Sequence, residues 1–542
     1  MRFALLQLNS VVGDLEGNYE KIASALKSLE GKVDMAILPE MSLLGYPPKD
    51  LLERAEFIDA SGYYLEKIAK LSEKLAVVLG SVRKNVGSGR SLFNSAFFLH
   101  KGKIRHIHDK MLLPYYDVFD ENRYFEPGVK LSVFEFMGKR IALTVCEDIW
   151  AKTELLGFAG RYKVDPLSGI LPGSIDYLIN ISASPFSKKK FDTKLKIFSE
   201  LTRRLETTLI YVNAIGANDE IVFDGRSFVI KDGAAVKICP AFKEGGFVYD
   251  SGKIDSISPE FSEIEDIYNA LIVGLSDYCK KTGFSKVVVG LSGGIDSAVA
   301  AAIAVSALGN RNVKAVMMPS RFTSRESITD AMKLAKNLGI ELLNLPIDKI
   351  FDRFLLSLES VLRDNIKAVA RENIQARIRG VLLMFLSNNF GWLLLSTGNK
   401  SEMAVGYTTL YGDLAGGLAL ISDLYKTEVY KLAYFLNRKR TIIPVNIIKK
   451  APSAELAFNQ KDQDVLPEYE ILDRILELYL EELKSPEEIV KKGIDPDTVK
   501  KTVDMVERNE YKRRQAPPGI KISVKAFGYG RRYPIAKRRG GF

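Results

Sequence analysis

Along the chain, short apolar runs alternate with longer stretches in which apolar residues recur at helical spacing. Met35–Pro39, Ala76–Gly80, Ile141–Val145, Tyr177–Ile181 and Thr208–Asn213 read as strands, and Tyr63–Lys74 as an amphipathic helix. Phe223–Ile230, the turn Lys231-Asp232-Gly233 and Ala235–Cys239 predict a hairpin. The pattern is α/β with an antiparallel component, which suits a sheet-on-sheet core with outer helices. Between Asp250 and Ser262 it lapses into serine, glycine, proline and acidic residues. The expected division is therefore a domain over residues 1–255, a linker over 256–262 and a second domain over 263–542. Strands and helices alternate again in the second domain, which predicts a doubly wound parallel sheet with ligands at the carboxyl ends of its strands.

Composition narrows the setting. A chain of 542 residues is long enough for two or more domains. No apolar run is long enough to span a bilayer and the N-terminus lacks a signal peptide's pattern, so a cytoplasmic protein with no membrane partner is expected. The three cysteines, Cys146, Cys239 and Cys279, are too scattered for a disulfide framework or a zinc site. His106 and His108 alternate on one predicted strand, with no acidic or cysteine partner at ligand spacing, and read as structural. The net charge of +10 suits anionic ligands, and much of it lies late, in Lys512-Arg513-Arg514, Arg531-Arg532 and Lys537-Arg538-Arg539. Nucleic acid, a nucleotide-rich small substrate and plain surface charge are all compatible with it.

Ser292-Gly293-Gly294-Ile295-Asp296-Ser297 lies between an apolar run, Val287–Leu291, and an alanine-rich one, Ala298–Leu308. Adjacent glycines let a backbone approach a ligand closely, and the following helix points its positive end at the same place. Ser292 and Ser297 add hydroxyl donors, and Asp296 can hold a magnesium ion. No Gly-Lys-Ser/Thr follows, so this is not a Walker loop. It resembles the pyrophosphate loop of ATP pyrophosphatases, which cleave ATP between the α and β phosphates to adenylate a substrate. A turn that merely packs a helix on a sheet would need the glycines but not the serines and aspartate.

In the first domain, Leu38-Pro39-Glu40, Asp109-Lys110 and Val145-Cys146-Glu147-Asp148 each end an apolar run in a reactive residue. Singly these are weak signals, because a lone cysteine after a strand is usually core. In the order Glu, Lys, Cys they resemble the nitrilase superfamily of carbon–nitrogen hydrolases, and the likeness extends through Tyr116–Gly128 and Asn180–Phe186. The chemistry needs these types. A thiol of ordinary pKa is only a few per cent ionised at neutral pH, so Glu40 takes its proton as Cys146 attacks a carboxamide, and Lys110 stabilises the thiolate and oxyanion. The resemblance further implies that Glu121 supports the site and that Tyr116, Ser184 and Lys190 hold the amino-acid end of glutamine.

The second domain adds Glu372–Gly380, polar along one helical face, and Thr397-Gly398-Asn399-Lys400-Ser401-Glu402 after the apolar run Leu393–Leu395. Pro452–Leu456 and Tyr511–Pro518 follow. This ordered set resembles the NAD synthetases, and with a nitrilase-type half the whole chain resembles their glutamine-dependent family. That family implies adenylation of deamido-NAD by ATP, then amidation by ammonia from glutamine, with release of AMP and pyrophosphate. It implies ATP contacts from Gly290, Leu291, Ser292, Gly293, Gly294, Ile295, Asp296, Ser297, Thr397, Lys426 and Ser453. Deamido-NAD is expected near Asn373, Glu402 and Lys512, and Mg2+ on Asp296 and Glu402. No tightly bound organic cofactor and no nucleic-acid partner are expected, and related synthetase domains pair across the helix of Glu372–Gly380, which implies a homo-oligomer built on that dimer. Other ATP-pyrophosphatase amidotransferases use differently built glutaminases. An RNA-modifying adenylating enzyme would have no role for the Glu-Lys-Cys half, and neither would a non-catalytic nucleotide-binding module.

Overall fold

The period-two alternation of apolar residues is the basis of the first half's layered core. Ala4 and Leu6 point to one side of their strand and Phe3 and Leu5 to the other, and all four are buried. The computed structural model describes residues 1–151, 161–253, 261–362 and 366–537. The chain divides into two units, Met1–Asp266 and Ile267–Phe542. Residues 256–260 of the expected linker, and Arg538 and Arg539 of the basic tail, lie outside the described residues.

The first unit contains two six-stranded sheets among its described residues. One runs Gly245–Asp250, Arg2–Gln7, Met35–Ile37, Ala76–Lys84, Leu92–His100, Lys103–Asp109. The other runs Ala234–Ile238, Phe228–Lys231, Thr208–Asn213, Tyr177–Ser182, Lys139–Val145, Ser132–Phe136. Phe3, Ile37 and Val78 of the first sheet share one buried cluster with Leu143, Ile179 and Ile210 of the second. Helices Leu15–Leu29 and Ala55–Leu71 cover the outer face of the first sheet, and Lys190–Leu205 that of the second. This is the expected α-β-β-α sandwich.

Two local expectations change. The helix expected over Tyr63–Lys74 runs Ala55–Leu71, because its apolar face begins earlier, at Ile58, and Leu65 and Ile68 continue it. The first strand of the expected hairpin is two strands. Ile221–Asp224 pairs with Ile215–Asn218, and only Phe228–Lys231 pairs with Ala234–Ile238. Gly225 and Arg226 between them both have positive φ, which ends the first ladder.

The second unit carries a parallel sheet ordered Glu341–Asn344, Val313–Met317, Val287–Gly290, Leu393–Ser396, Leu418–Ala419. Successive strands step outward from Val287–Gly290 in one direction, then the chain returns to its other side with Leu393–Ser396. That reversal is the point at which doubly wound sheets open a crevice for ligands. The glycine loop and Thr397-Gly398 both emerge there.

Leu143, fully buried between the two sheets, sets a measurable expectation. Leu143→Ala should destabilise the first unit by about 2–5 kcal/mol, read as a lower denaturant midpoint for loss of the activity housed there.

Candidate active sites

Three strand ends of the first unit bring Glu40, Lys110 and Cys146 together. Glu40 follows Met35–Ile37, Lys110 follows Lys103–Asp109 and Cys146 follows Lys139–Val145. Gly80 on the neighbouring strand lets the Glu40 backbone come close, since a Cβ there would lie 2.6 Å from Glu40 Cα. Lys110 is fully buried, and its Nζ donates at 2.8 Å to both Glu40 Oε1 and Glu121 Oε1. Asn94 Nδ2 also donates to both carboxylates, at 2.7 Å to Glu40 and 3.3 Å to Glu121. The Ala183 N–H reaches Glu40 Oε2 at 2.8 Å, and the Tyr46 hydroxyl reaches Glu121 Oε1 at 2.8 Å.

Cys146 sits at φ +42°, the left-handed region, at the turn from its strand into the short helical turn Cys146–Ile149. Such a conformation costs of the order of 1–3 kcal/mol and persists only where the surroundings hold it. Burial, with Glu40 adding to it, raises the thiol above its ordinary range, and Lys110 acts against both. A thiol held this high would need a base to take its proton before it could attack. For Lys110, burial alone would lower the pKa, but Glu121, Glu40 and Cys146 outweigh it and hold the ammonium well above its usual value. Glu121 is pushed up to about 7, by burial first, against the opposing pull of Lys110.

The expected glutamine contacts surround this centre. Tyr116 donates to Glu147 at 3.0 Å, as does Tyr162 at 2.8 Å. Ser184 is buried beside Ala183, its N–H held by Asn213 Oδ1 at 2.8 Å. Lys190 Nζ donates to the Pro185 carbonyl at 3.0 Å, and its charge acts on Glu147. Sequence reasoning gave no role to Tyr46, Asn94 or Glu147. Glu147 was in plain view beside Cys146, but nothing local says that its carboxylate turns into the site. His108, read as lacking an acidic neighbour, meets Asp148 at 2.8 Å across forty positions of sequence.

In the second unit the glycine loop closes on itself. Ser297 Oγ donates to the Gly294 carbonyl at 3.0 Å, and the Gly294 N–H donates to Ser292 Oγ at 3.1 Å. Gly293 has φ +81°, and a Cβ there would stand 2.4 Å from the Ser327 carbonyl oxygen, so only glycine fits. The loop lines a cleft of about 480 Å³. All of the expected ATP and deamido-NAD residues line it, Thr397, Lys426, Ser453, Asn373, Glu402 and Lys512 among them.

Lys426, buried, bridges two carboxylates of the cleft, Asp296 Oδ2 at 2.6 Å and Glu402 Oε1 at 3.1 Å. Asn399 Nδ2 donates to Asp296 at 2.9 Å, and its oxygen caps the helix Lys400–Val405 at the Glu402 N–H. Glu402 is pushed up to about 8 by burial, which Lys426 opposes and Asp296 reinforces. Two carboxylates around a point of positive charge are the hard oxygen donors that magnesium shares with phosphate, so the residues fit that ion. Lys512 Nζ donates to the Gly406 and Thr408 carbonyls at 2.7 and 2.8 Å, which fixes one cleft wall.

Residues 2–160 match the family described as Carbon-nitrogen hydrolase, and residues 267–516 that described as NAD synthase. The chain is 42% identical over 548 residues to a glutamine-dependent NAD(+) synthetase of Synechocystis sp., covering 98% of each. It is 42% identical to one of Thermotoga maritima, covering 99% of each. A glutamine-dependent NAD+ synthetase of Acinetobacter baumannii, solved in complex with adenosine diphosphate, superposes with a TM-score of 0.77 at 36% identity and 98% coverage of each chain.

The first unit's charges imply a pH dependence. Carboxamide hydrolysis there should rise with pH through about 7, as Glu121 ionises and gives Lys110 its second charged partner. In Glu121→Gln that limb should vanish and the plateau rate fall about ten- to a hundredfold, the loss of one charge-assisted hydrogen bond. A kcat/KM profile from pH 5.5 to 9 checks both.

Proposed function

The chain belongs to the glutamine-dependent NAD(+) synthetase family, and from that premise we propose how its own residues divide the work. The enzyme is a carbon–nitrogen ligase that amidates deamido-NAD to NAD at the expense of ATP, with glutamine as nitrogen source. Residues 1–255 are the glutaminase domain, 256–262 the linker and 263–542 the synthetase domain.

In the glutaminase, Glu40 accepts the Cys146 proton as the sulfur attacks the glutamine carboxamide carbon. Lys110 faces the negative charge that develops on sulfur and then on oxygen. The C–N bond breaks, Glu40 returns the proton to the departing ammonia, and a thioester remains. Water, deprotonated by Glu40, cleaves it to glutamate and regenerates the thiol. Tyr116, Ser184 and Lys190 orient the substrate's amino-acid end. Glu147, buried beside the nucleophile with Tyr116 and Tyr162 as donors, accepts the substrate's α-ammonium.

In the synthetase, ATP lies along Gly290–Ser297 with Thr397, Lys426 and Ser453, and deamido-NAD against Asn373, Glu402 and Lys512. A nicotinate carboxylate oxygen attacks the α-phosphorus, the bond to the β-phosphate bridging oxygen breaks, and pyrophosphate leaves. Ammonia then attacks the acyl carbon of the adenylate and AMP departs. Lys426 meets the charge that builds on the phosphates. Asp296 and Glu402 would hold a magnesium ion, which when bound offsets charge on the leaving pyrophosphate. The observation that supports this reading is that one cleft at the sheet's switch point is lined by both sets of residues.

The working unit is a homo-oligomer built on a synthetase-domain dimer, in the cytoplasm. What supports the dimer is helix Ala368–Phe390, which leaves Val381 and Phe385 each 66% exposed, with Met384 beside them, an apolar face of the kind that seeks a partner. The cytoplasm suits three unpaired cysteines. Phe385→Glu should shift the species seen by light scattering toward monomer.

The two sites should separate by mutation. Cys146→Ala should lower glutamine-dependent NAD formation by about a thousandfold or more, while ammonia-dependent formation stays within about twofold. Asp296→Ala should lower formation from both nitrogen sources by about a hundredfold or more, the equivalent of several kcal/mol of charge stabilisation. Retained glutamine use in the first variant, or retained ammonia use in the second, would overturn the respective assignment. Both are read by following NAD and glutamate together.

A further inference from the structure

One fully buried carboxylate of the glutaminase has no part in the chemistry just described. Asp148 lies two residues beyond Cys146, and its oxygens receive donors from both catalytic segments. Oδ1 accepts the Met111 and Leu112 N–H groups, each at 2.9 Å, from the residues directly after Lys110. Oδ2 accepts the Val145 N–H at 2.9 Å, from the residue directly before Cys146. It also receives His108 Nε2 at 2.8 Å, from two residues before Lys110. His108 is 1% exposed, and its Nδ1 accepts the Ser132 N–H at 3.4 Å. With Nδ1 turned to that N–H, Nε2 is the ring nitrogen that donates to the Asp148 carboxylate.

Those hydrogen bonds link segments far apart in sequence. Lys110 and Cys146 follow strands of different sheets, so nothing local sets the spacing between ammonium and sulfur. The two oxygens of one carboxylate are rigidly joined, and they tie the backbone after the lysine to the backbone before the cysteine. The same bonds brace the strained Cys146 turn, whose φ of +42° needs support from outside the turn. An ordinary cap of a short helical turn would need only the Val145 bond. The bonds to Met111, Leu112 and His108 go beyond it.

We propose that Asp148, locked by His108, is a positioning residue that sets the separation of Lys110 from the Cys146 sulfur. The inference rests on the glutaminase reading of that pair. Asp148→Asn keeps the shape but turns an NH2 group toward backbone N–H donors, so one side of the clamp opens. A displacement of about an ångström between reacting groups is worth about a hundredfold in rate. His108→Gln keeps a donor near the Nε2 position, and His108→Ala removes it.

The test uses the full-length enzyme, with glutamate release, ammonia-dependent NAD formation, and alkylation of Cys146 by iodoacetamide followed by mass spectrometry. Asp148→Asn is expected to lower glutaminase kcat about ten- to a hundredfold, with KM for glutamine within about threefold, and to slow alkylation in proportion. Ammonia-dependent synthesis should be unchanged. His108→Gln should keep at least about a third of wild-type kcat, while His108→Ala falls about tenfold. Wild-type kcat and alkylation rate in Asp148→Asn would overturn the proposal, as would equal losses in the two His108 variants or a matching loss of ammonia-dependent synthesis. Should Asp148→Asn not fold, the His108 pair decides alone. A wild-type enzyme that releases glutamate with Cys146 fully alkylated would instead overturn the glutaminase reading itself.

Discussion

Each candidate active site is built around a buried lysine held between two carboxylates. In the first unit Lys110 lies between Glu40 and Glu121, and in the second Lys426 lies between Asp296 and Glu402. Taking three charges out of water is expensive, and the arrangement survives only because each partner is present and further donors satisfy the remaining lone pairs. Asn94, Ala183 and Tyr46 provide them in the first site, and Asn399 in the second. Remove one member and a charge is stranded. That constraint explains why the supporting residues are as buried as the reactive ones. It also explains why the shared proton affinities of Glu121 and Glu402 move up toward the neutral range.

The reactive groups stand at strand ends for a related reason. A strand interior offers side chains that alternate between two packed layers, and both sides are apolar here. At the ends the backbone is free to turn, and its N–H groups become available as donors. Cys146 uses that freedom in a strained turn, Ala183 gives its N–H to Glu40, and Gly293 lets the glycine loop pass over Ser327. The same logic places the second site at the sheet's reversal, where two strand ends diverge and leave room for a ligand between them.

Several of the late basic residues are engaged inside the fold. Arg513 is buried, donates to the Ala404 and Val506 carbonyls, and pairs with Glu510 at 3.0 Å. Arg531 pairs with the same glutamate, and Lys537 with Glu507. Lys400, also buried, holds Asp423 at 3.0 Å and Glu481 at 2.8 Å, and donates to Ser523 Oγ at 2.6 Å and the Lys525 carbonyl at 2.9 Å. Asp423 in turn receives the N–H groups of Ile522 and Ser523. The late segment is thereby fastened behind Asn399 and Glu402, and these cations are engaged as braces rather than displayed to a polyanion.

The amino-acid sequence by itself determined the layered α/β architecture, because apolar period and strand length are local properties. It also pointed to the residues proposed to carry the reactions, since the Ser292–Ser297 loop is a short and specific pattern, while Glu40, Lys110 and Cys146, weak signals singly, gain their meaning from their order along the chain. The edges of elements were less legible. The break at Gly225-Arg226 follows from where each strand finds its partner, which local pattern does not contain. What only the tertiary structure decided is which groups meet. Glu147, Asn94 and Asp148 acquire their roles, and His108 its acidic partner, through contacts such as those of Asn94 with Glu121 and Glu40, 27 and 54 positions away, and of His108 with Asp148, 40 away, or through the direction a buried side chain takes. A hydrogen bond acts over about 3 Å, and in a folded chain that distance bears no relation to separation in sequence.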